Sequence, residues 1–283
     1  MEGLLFDIDC KMNETHYFTF YSDLHDDARE CAHKQMFAHM DKRAGYKNAH
    51  FFGIGDISNF IMPGPDKRHT PSTPIPELAD ADEYIDRQVE RQLEIYRKYP
   101  WIAMGVCNHC TAVINHHFTN PVKRLIDKMN DDPDRKALPG MQYAGYSGFA
   151  RFRFRTHKSS PGALCTWTVL YHHGAWGGAV IKGLGGAKRW AYAHEGWDAA
   201  VYGHNHALHG HQEPMLRMSE RGEITHRDLF IVNTGTFLRG AKQGGNPAYS
   251  EIKGYPPVSL AAPMFKVTPV RGGPEVSVEL GDC

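Results

Sequence analysis

Short stretches spread over most of the chain carry residues able to bind a divalent cation. They are Asp23-Leu24-His25, Gly55-Asp56, Asn108-His109, His172-His173-Gly174 and Gly203-His204-Asn205-His206, with Asn59 trailing the second. Any one alone is uninformative. Together, in this order, they supply donors for two adjacent metal ions. The donor types are carboxylates, one amide oxygen and several imidazoles. Such a set suits Mn²⁺, Fe²⁺/Fe³⁺, Zn²⁺ or Ni²⁺ better than Ca²⁺ or Mg²⁺, which prefer shells made only of oxygen. Two such ions ~3.5–4 Å apart acidify a shared water and so supply a nucleophile near neutral pH.

These residues must be delivered by regular elements. The run YFTFYS (17–22) reads as a strand ending at Asp23, and AHFFGIG (49–55) as a strand ending at Asp56. WIAMGVC (101–107) delivers Asn108, LCTWTVLY (164–171) precedes the His172-His173 pair, and DAAVYG (198–203) precedes His204. Each candidate donor thus lies at or just past the C-terminal end of a predicted strand, where open α/β sheets gather ligand residues. Ala28, Ala32, Met36 and Met40, four apart, predict a helix. A second helix is predicted over 80–99, with Ala81, Ile85, Val89, Leu93 and Tyr96 on one face and Glu83–Arg87 and Glu94–Lys98 pairs opposite. A third is predicted near 187–195. FARFRFR (149–155) alternates as a half-exposed strand, and DLFIVNTGTF (228–237) reads as another. Residues 61–79, rich in proline and without periodicity, are expected to form a loop inserted over the site. No linker or repeat divides the chain, so one domain over 1–283 is the economical expectation.

Bulk properties exclude several classes. The 283 residues suffice for a large core, and 41% apolar with 23% charged residues is ordinary for a globular protein. Formal net charge is zero, so the totals indicate no polyanion-binding tail. No stretch approaches the ~18 apolar residues of a membrane span, and the N-terminal segment does not read as a signal peptide. Cysteines at 10, 31, 107, 110, 165 and 283 show no framework spacing and are read as reduced thiols in a cytoplasmic compartment.

The ordered motifs resemble those of the calcineurin-like metallophosphoesterases: D-x-H, G-D-x-x-D, G-N-H-[DE], a lone H often followed by G, and G-H-x-H. The resemblance covers roughly residues 16–240. YAGYSGFARFRF and NTGTFLRG also look like phage and bacterial members. It implies a four-layer α/β/β/α sandwich of two mixed sheets. It also implies one metal held by Asp23, His25, Asp56 and His206, and another by Asp56, Asn108, His173 and His204, with Asp56 bridging. His109 corresponds to the catalytic histidine, which is not a ligand. The implied activity is hydrolysis of a phosphate ester, a phosphodiester or small nucleotide being favoured, by attack of a metal-bridging hydroxide, with manganese the preferred metal. Asn59, Lys67 and Arg68 are candidate substrate contacts.

Three positions depart from the pattern. Asn59 stands where a second aspartate is common, Cys107 replaces the glycine before Asn108, and Cys110 replaces the acid that supports the catalytic histidine. Of the adjacent His172 and His173, the following glycine favours His173 as the ligand, and strand alternation turns His172 to the opposite face. His209 and His211 are expected on an outgoing strand, and Arg151, Arg153 and Arg155 on a solvated sheet face. Two alternatives remain: a metal-dependent nuclease, which neutral charge does not favour, and a catalytically silent scaffold on the same fold, like the retromer subunit of that superfamily.

Overall fold

The computed structural model describes residues 1–61, 73–79, 83–156, 163–176, 183–218, 222–241, 249–252, 254 and 256–281. In chain order the strands begin with β1 (Glu2–Asp9), β2 (His16–Tyr21), β3 (Ala49–Gly53), β4 (Trp101–Gly105) and β5 (Gln142–Gly145). They continue as β6 (Ser147–Arg155), β7 (Cys165–His172), β8 (Ala199–Tyr202), β9 (Leu208–Met218), β10 (Ile224–Thr234), β11 (Met264–Val270) and β12 (Gly273–Glu279). The helices are α1 (His33–Ala44), α2 (Pro76–Ala79), α3 (Tyr84–Tyr96), α4 (Asn108–His117), α5 (Pro121–Asp131), α6 (Leu184–Tyr192) and α7 (Tyr249–Ile252).

Two six-stranded mixed sheets result, ordered β1-β6-β7-β8-β10-β9 and β12-β11-β2-β3-β4-β5. Alternation along the strands explains why they stack. In β2, Phe18 and Phe20 face the other sheet; in β6, Ala150, Phe152 and Phe154 do so; in β7, Trp167, Val169 and Tyr171. Rings from both sheets meet there, with centroids 4.6 Å apart for Phe18–Phe152 and 5.2 Å for Trp167–Phe265. The outer face of the second sheet packs Tyr21, Phe51 and Trp101 against α1, α3, α4 and α5. The outer face of the first packs Leu170, Ala200 and Ile231 against Ala187 and Ala191 of α6. This is the expected α/β/β/α sandwich, with the topology of the calcineurin-like phosphoesterase fold. No described helix is long and apolar enough to cross a membrane.

Several local expectations are corrected. The first helix starts at His33, not Ala28. Residues 25–31 are consumed by a turn (Ala28 N donates to the His25 carbonyl at 2.9 Å) and by bridges from Ala28 to Pro74 and Cys31 to Leu238. In α3 Val89 and Tyr96 of the expected face are buried, but Ile85 and Leu93 are only partly so, and the polar Tyr84, Gln88 and Gln92 are buried as well. The ion pairs that fix its outer face reach α5: Lys128 Nζ lies 2.6 Å from Glu90 Oε1, and Arg124 pairs with Asp86. The Pro-rich segment contains a one-turn helix at Pro76–Ala79, proline at its first position being compatible with helix initiation. Arg153 and Arg155 pair with Asp7 of the parallel neighbour β1, each at 2.7 Å, on the outer face.

His16 and His50 stack on each other away from the ligand loops, Nδ1 to Nε2 at 3.2 Å, with Phe154 tilted against His16 and Phe18 stacked on His50. Burial lowers His16 to about 4 and His50 to about 3. In the unfolded chain both titrate near 6.5, so their contribution to stability is complete above that pH. It is lost as pH falls from 6.5 toward 4, where the unfolded chain takes up protons that the folded one refuses. Each proton differential steepens the fall by ~1.4 kcal/mol per pH unit. Melting temperatures measured from pH 7 to 4 should therefore drop more shallowly in a His16→Gln/His50→Gln variant. Parallel curves would contradict this account.

Candidate metal centre

The loops after β2, β3 and β4, parallel neighbours in one sheet, and after β7 and β8, parallel neighbours in the other, converge at one end of the sandwich. Backbone hydrogen bonds zip them together. Asp23 N donates to Gly55 O (3.2 Å), His25 N to Asp56 O (3.0 Å) and Gly203 N to His173 O (3.0 Å). The two sheets are joined where His204 N donates to Asp23 Oδ2 at 2.9 Å.

Two donor clusters result: Asp23, His25 and His206, and Asp56, His173 and His204, with the donor atoms of each cluster all within 4.8 Å of one another. His25 Nε2 and His206 Nε2 stand 3.3 Å apart, and His206 Nε2 is 3.4 Å from Asp23 Oδ1. Two imidazole nitrogens at ~2.0–2.1 Å from one tetrahedral or octahedral ion would be separated by about this distance. In the second cluster His173 Nε2 is 3.3 Å from Asp56 Oδ2 and 3.0 Å from Asn108 Oδ1. The same Asp56 Oδ2 is 3.9 Å from His25 Nε2, so this carboxylate lies between the clusters.

Some polar atoms of these residues are also left without a protein hydrogen bond. Asp23 Oδ1, Asp56 Oδ1 and His204 Nδ1 are buried and make no hydrogen bond. Buried polar atoms in that condition are costly unless an ion or water satisfies them. The residues present therefore fit a pair of transition-metal ions. Burial alone would raise the Asp56 pKa, but His109, His173 and His25 around it hold its carboxyl well below the usual carboxylate range. Burial likewise lowers His25 to about 3, leaving it a neutral imidazole. In that form a ring nitrogen has a lone pair to offer a metal.

Backbone conformation is adapted to this convergence. Asp23, His25, Asp56, His204 and His206 all have positive φ, between 48° and 74°. Such values are uncommon outside glycine and cluster at functional sites. Gly55, at φ +121°, passes so close to His173 that a Cβ there would stand 2.5 Å from Nδ1. Gly55→Ala is expected to cost about 1–3 kcal/mol in backbone strain and to displace His173. Elemental analysis should then find about one metal ion fewer per chain than in the wild type, together with a lowered melting temperature. An unchanged metal content would show that the close approach is not needed.

His109 belongs to neither cluster. It is 8% exposed at the start of α4, and its Nδ1 lies 2.5 Å from the Asn59 carbonyl. A carbonyl only accepts, so Nδ1 carries the proton. Asn59 also accepts from His25 Nδ1 through its side-chain oxygen at 3.2 Å. Both oxygens of Asn59, read from the sequence as a candidate substrate contact, are thus engaged by histidines. Lys67 and Arg68 lie outside the described residues. His172 is directed away from the cluster: its Nδ1 accepts from Gly174 N at 2.7 Å, and its ring packs on Trp176 and Trp190. His209 and His211 lie on β9, facing Tyr202 and Glu213. Cys107 caps α4, its Sγ accepting from Cys110 N at 3.1 Å. Burial pushes the Cys107 thiol well up, away from the thiolate a zinc or redox site needs.

Supporting residues not singled out from the sequence include Ser22, whose Oγ donates to Asp23 Oδ2 at 2.5 Å, and Thr236, whose Oγ1 donates to the Asp23 carbonyl at 2.7 Å. Asp26 and Asp27 are fully buried beside the ligand loop. Asp26 accepts from Ser58, Gln88 and Tyr96 at 2.5–2.8 Å, and Asp27 from Asn59 N, Phe60 N and Tyr84 at 2.5–2.9 Å. The one sequence signal for this network was the acidic pair itself, following Asp23-Leu24-His25.

No family model matches the chain, and no curated protein matches it. Solved structures to which it is similar include a metallophosphoesterase from Sphaerobacter thermophilus, at 13% identity and a TM-score of 0.34, covering 95% of this chain and 89% of that one. A zinc complex of wild-type Vps29 from Entamoeba histolytica matches at 11% identity and a TM-score of 0.31, covering 93% and 98%. Vps29 from Chaetomium thermophilum matches at 12% and 0.31, covering 93% and 92%.

Proposed function

We propose that this chain is a dinuclear metal-dependent phosphoesterase acting on a phosphodiester or small nucleotide, with manganese the first metal to test. The observation that carries the reading is Asp56, whose Oδ2 lies 3.3 Å from a histidine of one donor cluster and 3.9 Å from a histidine of the other. Asp23, His25, Asp56 and His206 would hold one ion, and Asp56, Asn108, His173 and His204 the second. Two bound ions would supply a nucleophile from water at neutral pH and offset the charge of the phosphoryl oxygens. Two carboxylates against two divalent ions leave the site net positive, which attracts the anionic substrate. His109, with Nδ1–H held by the Asn59 carbonyl, would in its doubly protonated form present Nε2–H as proton donor to the leaving oxygen. The outer-face arginines of β6 are engaged by Asp7 and Thr168, which favours a small substrate over a polyanion. The described cysteines are free thiols, in keeping with a reducing, cytoplasmic setting.

The test is reconstitution with Mn²⁺, Fe²⁺, Zn²⁺ or Ni²⁺, followed by assays on phosphomonoesters, cyclic nucleotides, linear dinucleotides and DNA. About two metal ions per chain with hydrolysis of a diester is the expected result. Metal binding without hydrolysis of any of them would leave the scaffold reading, and cleavage of DNA alone the nuclease reading.

A further inference from the structure

We infer that Asp27 is a positioning residue for His109, acting through the peptide bond between Asn59 and Phe60. The inference rests on the reading of His109 as the proton donor and explains how this chain holds it with Cys110 in place of an acid. Asp27 is fully buried and engages two consecutive backbone amides, Asn59 N at Oδ1 (2.5 Å) and Phe60 N at Oδ2 (2.9 Å). The Tyr84 hydroxyl donates to Oδ2 at 2.7 Å and fixes the carboxyl from the α3 side. The peptide linking Asn59 to Phe60 is trans and planar, so its N–H and C=O point in opposite directions. Docking the Phe60 N–H on Asp27 therefore aims the Asn59 carbonyl away from Asp27. His109 Nδ1 lies there, 2.5 Å from the oxygen.

The turn is also conformationally demanding. Phe60 has φ 45°, a left-handed value that a bulky aromatic rarely adopts. Two backbone N–H groups donating to one carboxylate can hold it there. Without them the peptide is free to rotate, and the carbonyl leaves Nδ1. The Asn59 side chain, which accepts from His25, belongs to the same turn, so one carboxylate organises the surroundings of a candidate ligand and of the candidate acid.

The test is Asp27→Asn, which keeps the shape but turns one acceptor oxygen into an NH₂ that confronts a backbone N–H. The ring tautomer of His109 is read by ¹⁵N–¹H NMR on zinc-loaded protein, zinc being diamagnetic. In the neutral ring the wild type should show the proton on Nδ1, and the variant should shift toward Nε2. Metal content should stay at the wild-type level, KM should hold within about threefold, and kcat should fall ~10- to 100-fold, as for other outer residues that orient a reactive group. Tyr84→Phe, which removes a donor without touching the peptide, should leave the tautomer as in the wild type. An unchanged tautomer in Asp27→Asn overturns the inference, as does a shifted tautomer with unaltered kcat. Should Asp27→Asn not fold, Asp27→Glu, which keeps both acceptor oxygens but moves them, is read in the same way. If the wild type cleaves no phosphoester, the functional reading fails, while the tautomer comparison still decides whether Asp27 orients His109.

Discussion

Asp56→Asn is expected to lower metal content from about two ions per chain to one or fewer and to abolish turnover of an aryl phosphodiester. Asparagine matches aspartate in shape, so the loop after β3 should persist and the melting temperature of the variant can serve as a folding control. What changes is charge and donor capacity at a carboxylate that lies between the two donor clusters, at 3.3 Å from His173 and 3.9 Å from His25. An amide offers one neutral oxygen and a pair of protons that repel a cation. Loss of several kcal/mol of charge stabilisation corresponds to a rate reduction of ~10³-fold or more. Retention of both ions with turnover at the wild-type level would refute the bridging role.

His109→Ala should produce the complementary result, full metal content with turnover reduced ~10²- to 10⁴-fold, the range for removal of a general acid. The separation of the two outcomes follows from geometry. His109 stands outside both clusters, its Nδ1 taken by the Asn59 carbonyl, and its ring centroid is 5.7 Å from that of His25. Substrates with good leaving groups need less proton donation, so the loss should shrink for a nitrophenyl ester relative to an alkyl ester. Loss of a metal ion in this variant would instead make His109 a ligand.

The sandwich was legible because its central strands have strong period-2 or continuous apolar patterns, as in Phe18/Phe20, Trp167/Val169 and the fully buried β4. Residues that meet in the candidate site lie as far apart as Asp23 and His206, and no local pattern pairs them. The order of motifs at strand ends, together with the family resemblance, is what suggested their meeting. The support beneath them was hidden for a different reason. Periodicity finds buried apolar positions such as Val89 and Tyr96, whereas α3 also buries Tyr84, Gln88 and Gln92, polar side chains that belong inside only because Asp26, Asp27 and Ser58 await them. The helix start at His33 was missed in the same way. Ala28 and Ala32 fit an apolar stripe, but the turn that follows His25 takes precedence over propensity. Strand β1 went unread because Leu5, 52% exposed, interrupts the inward pair Leu4 and Phe6 with another apolar residue.

The left-handed backbone at Asp23, His25, Asp56, His204 and His206 bears on what these positions are for. Each non-glycine residue there costs the folded chain about 1 kcal/mol relative to glycine. A sequence shaped by folding alone would carry glycine at such points and be more stable for it. Holding aspartate and histidine in those conformations instead would fix the candidate donors before any ion arrived, so that binding would not need to organise the loops. The site is in this sense a mould set during folding, and its stiffness should show as rapid metal capture by protein that is already folded.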